Sequence, residues 1–326
     1  MKLLLSVTLA ATYGISMRLL FVSFGNDLAV MSLSFFVIVP FIIGYLTIFL
    51  LPYRDRSTMT GAFFTPWITC LVILCITSLT KLEGMICWVM AFPFFGIVAG
   101  FGGMLAFGRK RRRALKEVEW DFDKDDAGRP NTLKVSLLFF IPLFAGLLEG
   151  NRITAFEELT IEKHLEIAAT PQVIWKALTS PHQSVLPSSH PTLCTLMGFP
   201  RHLSTTLDTL AINSHRIAVY EKGLTFEETI RRLEPARQLE VTITNDPERI
   251  SKAIMDDHIV IGGEHIRMQG DTYTLEPLSG GKTRLSLVSH FSINTPFNWY
   301  AGLWAKWLMS DVIQEELNSV RQQCTH

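Results

Sequence analysis

Five apolar stretches crowd the first half of this chain, and no other feature constrains its fold as strongly. They run from about Leu3 to Phe24, Leu28 to Leu51, Phe63 to Thr80, Gly84 to Phe107 and Leu133 to Leu148. Each approaches or exceeds the ~20 residues a helix needs to cross the hydrocarbon of a bilayer. In that solvent every backbone N–H and C=O must be satisfied within the protein, so a lone spanning segment has to be helical. Beyond Asn151 the texture becomes that of a water-soluble protein, and all nine His lie there. Hydrocarbon for one half and water for the other would produce this segregation. The chain therefore reads as a multi-pass transmembrane domain over residues 1–150, a membrane α-helical bundle of about five helices, followed by a soluble domain over residues 151–326.

Lys2 followed by Leu3, Leu4 and Leu5 has the look of a signal peptide, but the apolar run continues through Leu19, Leu20, Phe21 and Val22. That length favours a retained helix, because signal h-regions are short. Arg18 lies within the run. The favoured expectation is that it snorkels to the headgroups, and the alternative is an ion pair with Glu83 or Glu149. Basic residues give the orientation. Arg54 and Arg56 mark the second link and Arg109-Lys110-Arg111-Arg112-Arg113 opens the fourth, so both are cytoplasmic together with the N-terminus. If the fifth stretch spans, the soluble domain lies outside the cytoplasm of an integral plasma or inner membrane protein (periplasmic in a Gram-negative cell), and this is the placement expected. Pro40 before Gly44, Pro93 before Gly96 and Pro142 before Gly146 recur in mid-helix. They read as kinks and close-packing points in a compact bundle, since transport would want more intramembrane ionisable groups than Arg18 alone.

Thirty basic and thirty acidic residues cancel, which argues against a general nucleic-acid binder. Cys70, Cys75 and Cys87 lie in apolar segments and Cys194 and Cys324 in the soluble half. No CxxC or Cys/His ligand spacing occurs, so no metal and no cofactor is expected. A Cys194–Cys324 disulfide stays open, because it depends on the compartment.

In the soluble half, Leu159, Ile161, Leu165 and Ile167 alternate as on one face of a strand. Thr170-Pro171 then opens a short helix carrying Val173, Ile174, Ala177 and Leu178. Residues 181–212 read as irregular. Strand-like runs follow at Ile217 and Val219, at Leu224, Phe226 and Ile230, and at Leu239, Val241 and Ile243. Further runs lie at His258–Ile261, His265–Gln269 and Thr272–Leu278, and Ser279-Gly280-Gly281-Lys282 reads as a hairpin turn. A last strand places Leu285, Leu287, Phe291 and Ile293 on one face. From Asn298 to Gln322 a long amphipathic helix sets Tyr300, Leu303, Trp304, Trp307, Leu308, Val312, Ile313, Leu317 and Val320 at three- and four-residue spacing. The expected fold is α+β: a curved antiparallel sheet wrapped on a long C-terminal helix, with a cavity between them.

The stretch Ile161-Glu162-Lys163-His164-Leu165-Glu166-Ile167-Ala168-Ala169-Thr170-Pro171-Gln172-Val173-Ile174-Trp175 resembles the opening of the START-like, or SRPBCC, polyketide cyclase and lipid-transport domains. The Gly280-Gly281-Lys282-Thr283-Arg284-Leu285 turn and the long final helix are similar too, and the likeness covers about residues 157–323. It implies a helix-grip fold with a hydrophobic pocket for lipids, sterols or polyketide-like molecules. No catalytic residue carries over, and the fusion to membrane helices favours a membrane-associated ligand.

The expected pocket residues are Trp175, Phe226, Tyr273, Phe291 and Trp304. A possible polar site is His258 with Glu264, within the run Asp256-Asp257-His258 and Glu264-His265. No Gly-x-Ser-x-Gly elbow, P-loop, HExxH or dinucleotide fingerprint is present. Membrane-anchored binding, with transfer a further option, of a lipid or other hydrophobic small molecule is the favoured function, ahead of catalysis. The alternatives are an enzyme acting on an apolar substrate with His258 or Glu264 as base, cyclase- or hydrolase-like, and a membrane sensor with a protein partner that the sequence does not identify.

Overall fold

A computed structural model describes residues 2–23, 32–52, 58–80, 82, 85–119, 132–149, 155–184, 192–244 and 265–325. The chain divides into two compact units, Met1–Ile153 and Thr154–His326.

The first unit is helical. Its elements are α1 (Lys2–Ser23), a π-helical turn (Ser34–Ile38) running into α2 (Val39–Phe49), α3 (Met59–Leu79), α4 (Met85–Glu119) and α5 (Thr132–Glu149). Among the described residues, three helices are long and apolar enough to cross a membrane by length and composition: Lys2–Phe21, Met59–Leu79 and Trp88–Leu115. This corrects the expected five. Ser34–Phe49 is apolar but shorter, about 24 Å at 1.5 Å per residue against roughly 30 Å of hydrocarbon. In the last stretch the described apolar part is Phe140–Glu149.

Glycine sets how closely these helices approach. A Cβ on Gly44 would fall on the Ala99 carbonyl, and one on Gly102 on the Phe41 carbonyl, so α2 and α4 meet backbone to backbone. Gly96 lies against the Trp67 ring and Gly146 against Phe21. Met17, Phe21, Phe35, Ile43, Cys70 and Ala99 share one buried cluster. Helix ends find partners within the unit. Glu149 accepts the Ser34 N–H at 3.2 Å, and Lys110 donates to the Ile48 carbonyl at 3.0 Å and to that of Leu51. Arg18 is 6% exposed, buried in the unit and not extended to its surface; the snorkelling expectation does not hold.

The second unit is one antiparallel sheet and its helices. The elements are β1 (Glu157–Ile167), α6 (Pro171–Leu178), β2 (His182–Ser184), α7 (Leu193–Leu196), β3 (His202–Leu207), β4 (His215–Tyr220), β5 (Thr225–Glu234), β6 (Gln238–Thr244), β7 (Ile266–Pro277), β8 (Thr283–Ile293) and α8 (Asn298–Thr325). The strands lie in the order β1-β8-β7-β6-β5-β4-β3-β2. The curled sheet with its long C-terminal helix agrees with the helix-grip expectation. Pro171 starts α6 as expected, although the Thr170 side chain makes no capping bond. Gly280 and Gly281 take φ of 74° and 73° in the β7–β8 turn, a region costly for residues with a Cβ.

The core lies between sheet and α8, with Ile167, Ile174, Ile230, Leu239, Leu285 and Leu317 fully enclosed. Along β8, Leu285, Leu287, Phe291 and Ile293 are buried, as their alternation predicts. Three expectations need correction. Residues 202–207 form a strand inside a segment expected to be irregular. In β4 the inward residues are Arg216 and Ala218, whereas Ile217 is 41% exposed. In α8, Leu303 and Trp307 face outward, because Ala301, Ala305 and Met309 take the face toward Leu159, Phe291 and Ile293. Small side chains there let the helix lie close, and Gly302 stands 3.5 Å from Ile293 measured from an added Cβ.

Candidate functional site

Two bulges build the site. In β3 the pairing runs His202 with Tyr220, then Ser204 with Val219, so Leu203 is an extra residue. In β7 it runs Met268 with Phe291, then Gly270 with His290, so Gln269 is extra. An extra residue shifts the alternation by one and re-aims everything after it. His202 and Thr205, three apart, consequently share the inner face, and so do Met268, Asp271 and Tyr273. Gly270 is required at the second bulge, where a Cβ would fall on the Val241 carbonyl. On β4 and β5, Arg216 and Glu228 are directly paired in register and both point inward.

These residues surround a cavity of about 100 Å³ between sheet and helix. Its lining mixes apolar side chains, Ala218, Phe226, Ile243, Met268, Leu287 and Ile313, with polar and charged ones, His202, Arg216, Glu228, Asp271, Tyr273 and Glu316. Arg216, 3% exposed, places Nε 3.3 Å from Glu228 Oε2. His202 Nδ1 donates to Glu316 Oε2 at 2.9 Å, and its Nε2 lies 2.9 Å from Thr205 Oγ1. The imidazole stacks on Tyr220 at 4.8 Å between centroids, and Tyr220 meets Phe226 edge-on at 5.0 Å.

Burial and charge act against each other throughout. Burial alone would lower the His202 pKa, but Glu316 outweighs it and raises it. Burial would raise Glu316, yet His202, Arg216 and the Tyr273 hydroxyl hold it below the ordinary carboxylate value. The two partners thus favour each other's charged form. Asp271 behaves differently. Burial pushes its carboxyl up to about 7, helped by Glu228 and Glu316 and opposed by the Ser289 hydroxyl and Arg216. Among the described residues, six side-chain atoms of the lining are shielded from solvent without a hydrogen-bond partner in the protein, Arg216 Nη1, Glu228 Oε2 and Asp271 Oδ1 among them. A polar atom sealed and unsatisfied in this way costs about 1–3 kcal/mol, which an occupant with matching groups would relieve.

Of the five aromatic residues expected at a pocket, Phe226 and Tyr273 line the cavity. Trp175 packs at the margin of the main core. Phe291 is sealed between Leu159 and Ile293 beneath α8. Trp304 stacks edge-on with Tyr300 and Trp307. His258 and Glu264 lie outside the described residues; their neighbour His265 is buried, with Nδ1 2.9 Å from the Asn294 carbonyl oxygen. Among the described residues no group of three His, Cys, Asp or Glu side chains is placed to hold a metal ion. Cys194 and Cys324 are both free thiols. Sequence reading missed Arg216, Glu228 and Asp271. The available signal was an Arg and a Glu at equal distance from the turn between two adjacent strands.

No known family's sequence pattern matches the chain, and no curated protein matches it. Solved structures do resemble it over about half its length. A START superfamily protein from Mycobacterium smegmatis is 12% identical, with 51% of this chain and 97% of that one covered at a TM-score of 0.34. A Mesorhizobium loti protein is 18% identical, covering 51% and 97% at 0.30. Truncated norcoclaurine synthase from Thalictrum flavum is 10% identical, covering 52% and 94% at 0.33.

Proposed function

We propose that this chain is a membrane-anchored binding protein whose C-terminal unit holds a small amphipathic molecule between sheet and helix. The observation that carries the reading is the cavity itself, lined by both apolar and charged side chains, with buried polar atoms of Arg216 and Asp271 left unsatisfied. A cavity of about 100 Å³ falls a little short of the ~150 Å³ that accepts benzene. Its occupant is thus a molecule near that size, or the polar end of a longer lipid. Anchoring is supported by the three long apolar helices of the N-terminal unit. With the shorter apolar helices α2 and α5 crossing as well, Arg109–Arg113 lie in the cytoplasm and the C-terminal unit outside. Labelling of a Cys introduced at Thr209 by an impermeant reagent tests that side; labelling only after lysis overturns it.

Native mass spectrometry of the full chain released from detergent tests the binding. A co-purifying small mass that is lost in Ala218→Leu, which fills the cavity from β4, supports the reading. A clean apo mass that no added amphiphile changes refutes it. A second reading, catalysis, is favoured by one observation: a carboxyl pushed up to about 7 facing the same cavity, the range suited to a general acid or base at neutral pH. Under that reading Asp271→Asn abolishes turnover and leaves affinity nearly unchanged.

A further inference from the structure

The acids and bases lining the cavity do not balance. Glu228 is matched by Arg216 and Glu316 by His202. Arg201, also on the wall, is committed to Glu221 at 2.8 Å. Asp271 and Glu315 have no ion-pair partner of their own. Each has a shielded carboxyl oxygen without a hydrogen-bond partner, Oδ1 and Oε1 respectively, as Glu228 does at Oε2. Glu315 is also held by Thr192 and Thr195, which leaves Asp271 the least compensated. An anionic occupant would meet four carboxyl groups with both available cations already engaged. A cationic occupant would complete the wall.

We propose, building on the binding reading above, that the molecule held in this cavity is a small organic cation, an amine on an apolar body, with Asp271 as its counter-ion. Three observations place it. Phe226, Tyr220 and Tyr273 supply aromatic rings to the same cavity, the kind of surface on which an ammonium is favoured over a neutral group. Arg216, 3% exposed and facing the cavity, has an Nη1 with no protein acceptor, so an oxygen on the same ligand is recognised beside the amine. Burial keeps Asp271 partly protonated when no cation is present, which spares the empty cavity an unpaired charge; an entering ammonium displaces that proton to solvent and pairs with the carboxylate.

The experiment titrates propylamine, 1-propanol and propionate into the full chain in detergent at pH 8; all three are smaller than benzene, share a short alkyl body and differ in charge. Propylamine is expected to bind at least about tenfold more tightly than propanol, as a charge-assisted bond to a shielded carboxylate implies, and propionate more weakly than either. In Asp271→Asn the preference for the amine is expected to disappear while propanol binding persists; Glu315→Gln is expected to reduce the preference without removing it. Equal binding of all three probes, tightest binding of propionate, or an amine preference that survives in Asp271→Asn overturns the cation assignment and leaves the binding reading standing. Failure of every probe to bind overturns the binding reading, and the cation assignment with it.

Discussion

Arg216 and Glu228 face each other across β4 and β5, with side chains 4% and 11% exposed and 3.3 Å between Nε and Oε2. Replacing Arg216 by Met leaves Glu228 enclosed beside Asp271 and Glu316 with no cation in register. Breaking a buried pair from one side costs about 3–5 kcal/mol, because the surviving charge keeps its desolvation penalty. Glu228→Leu strands the guanidinium and should cost a similar amount. If the two sites acted independently, the double variant would lose roughly 6–10 kcal/mol, near the whole stability of a typical domain. As a pair exchanged for apolar side chains of similar volume, it should instead lie within a few kcal/mol of the parent. Hydrogen exchange of peptides covering residues 215–234, followed by mass spectrometry on the full chain in detergent, reads local opening without requiring two-state unfolding of both units. Fast exchange in each single variant with recovery in the double variant is the expected pattern. Faster exchange in the double variant than in either single one would refute the pairing as the organising contact of this wall.

Three further outcomes are expected. Asp271 has an ordinary pKa of 3.8 and about 7 when folded, so the folded state holds its proton more tightly and the Asp271 contribution to stability falls as pH rises from about 4 through 7. The groups facing it are Arg216 on β4, Glu228 on β5, Tyr273 on β7, Ser289 on β8 and Glu316 on α8. Melting of Asp271→Asn across that window should lack the fall, whereas the His202–Glu316 pair weakens as pH rises beyond the ordinary histidine range and as it falls below the ordinary carboxylate range. Gly102→Ala places a methyl on the Phe41 carbonyl and should destabilise the helical unit by about 1–3 kcal/mol through overpacking; an unchanged melting temperature would show that α2 and α4 can separate freely. Cys194 is buried, with its thiol pushed up by burial and by Asp311, so under native conditions it should resist alkylation until the chain is denatured. Rapid modification, or a Cys194–Cys324 disulfide found by non-reducing peptide mapping, would contradict the placement of α7 against Leu308.

The order of elements in the C-terminal unit was legible because its signals are local. Pro171 opens a helix, Gly280-Gly281 turns a hairpin, and Leu285, Leu287, Phe291 and Ile293 alternate. The edge strand at 202–207 was not, since His202-Leu203-Ser204-Thr205-Thr206-Leu207 has no apolar alternation and becomes a strand by pairing with β4. The site was hidden for a related reason. Bulges at Leu203 and Gln269 break the period of two on which face assignment rests, and a reading that follows apolar residues chose Ile217 over Arg216 in β4. In α8 the bulky residues outnumber the small ones, so their spacing suggested an inward Leu303 and Trp307. The close approach of α8 to β1 and β8 selects Ala301 and Ala305 for that face.

The sheet closes late in the life of the chain. β1 pairs with β8 from Glu157 opposite Ile293 to Ile167 opposite Thr283, so a ribosome must produce more than a hundred further residues before the first strand acquires its partner, and α8 comes later still. Until then β1 presents a bare edge carrying Leu159 and Ile167, the kind of surface that recruits foreign strands. A truncation anywhere before β8 therefore does more than delete the last elements. It leaves the oldest strand of the unit open to aggregation.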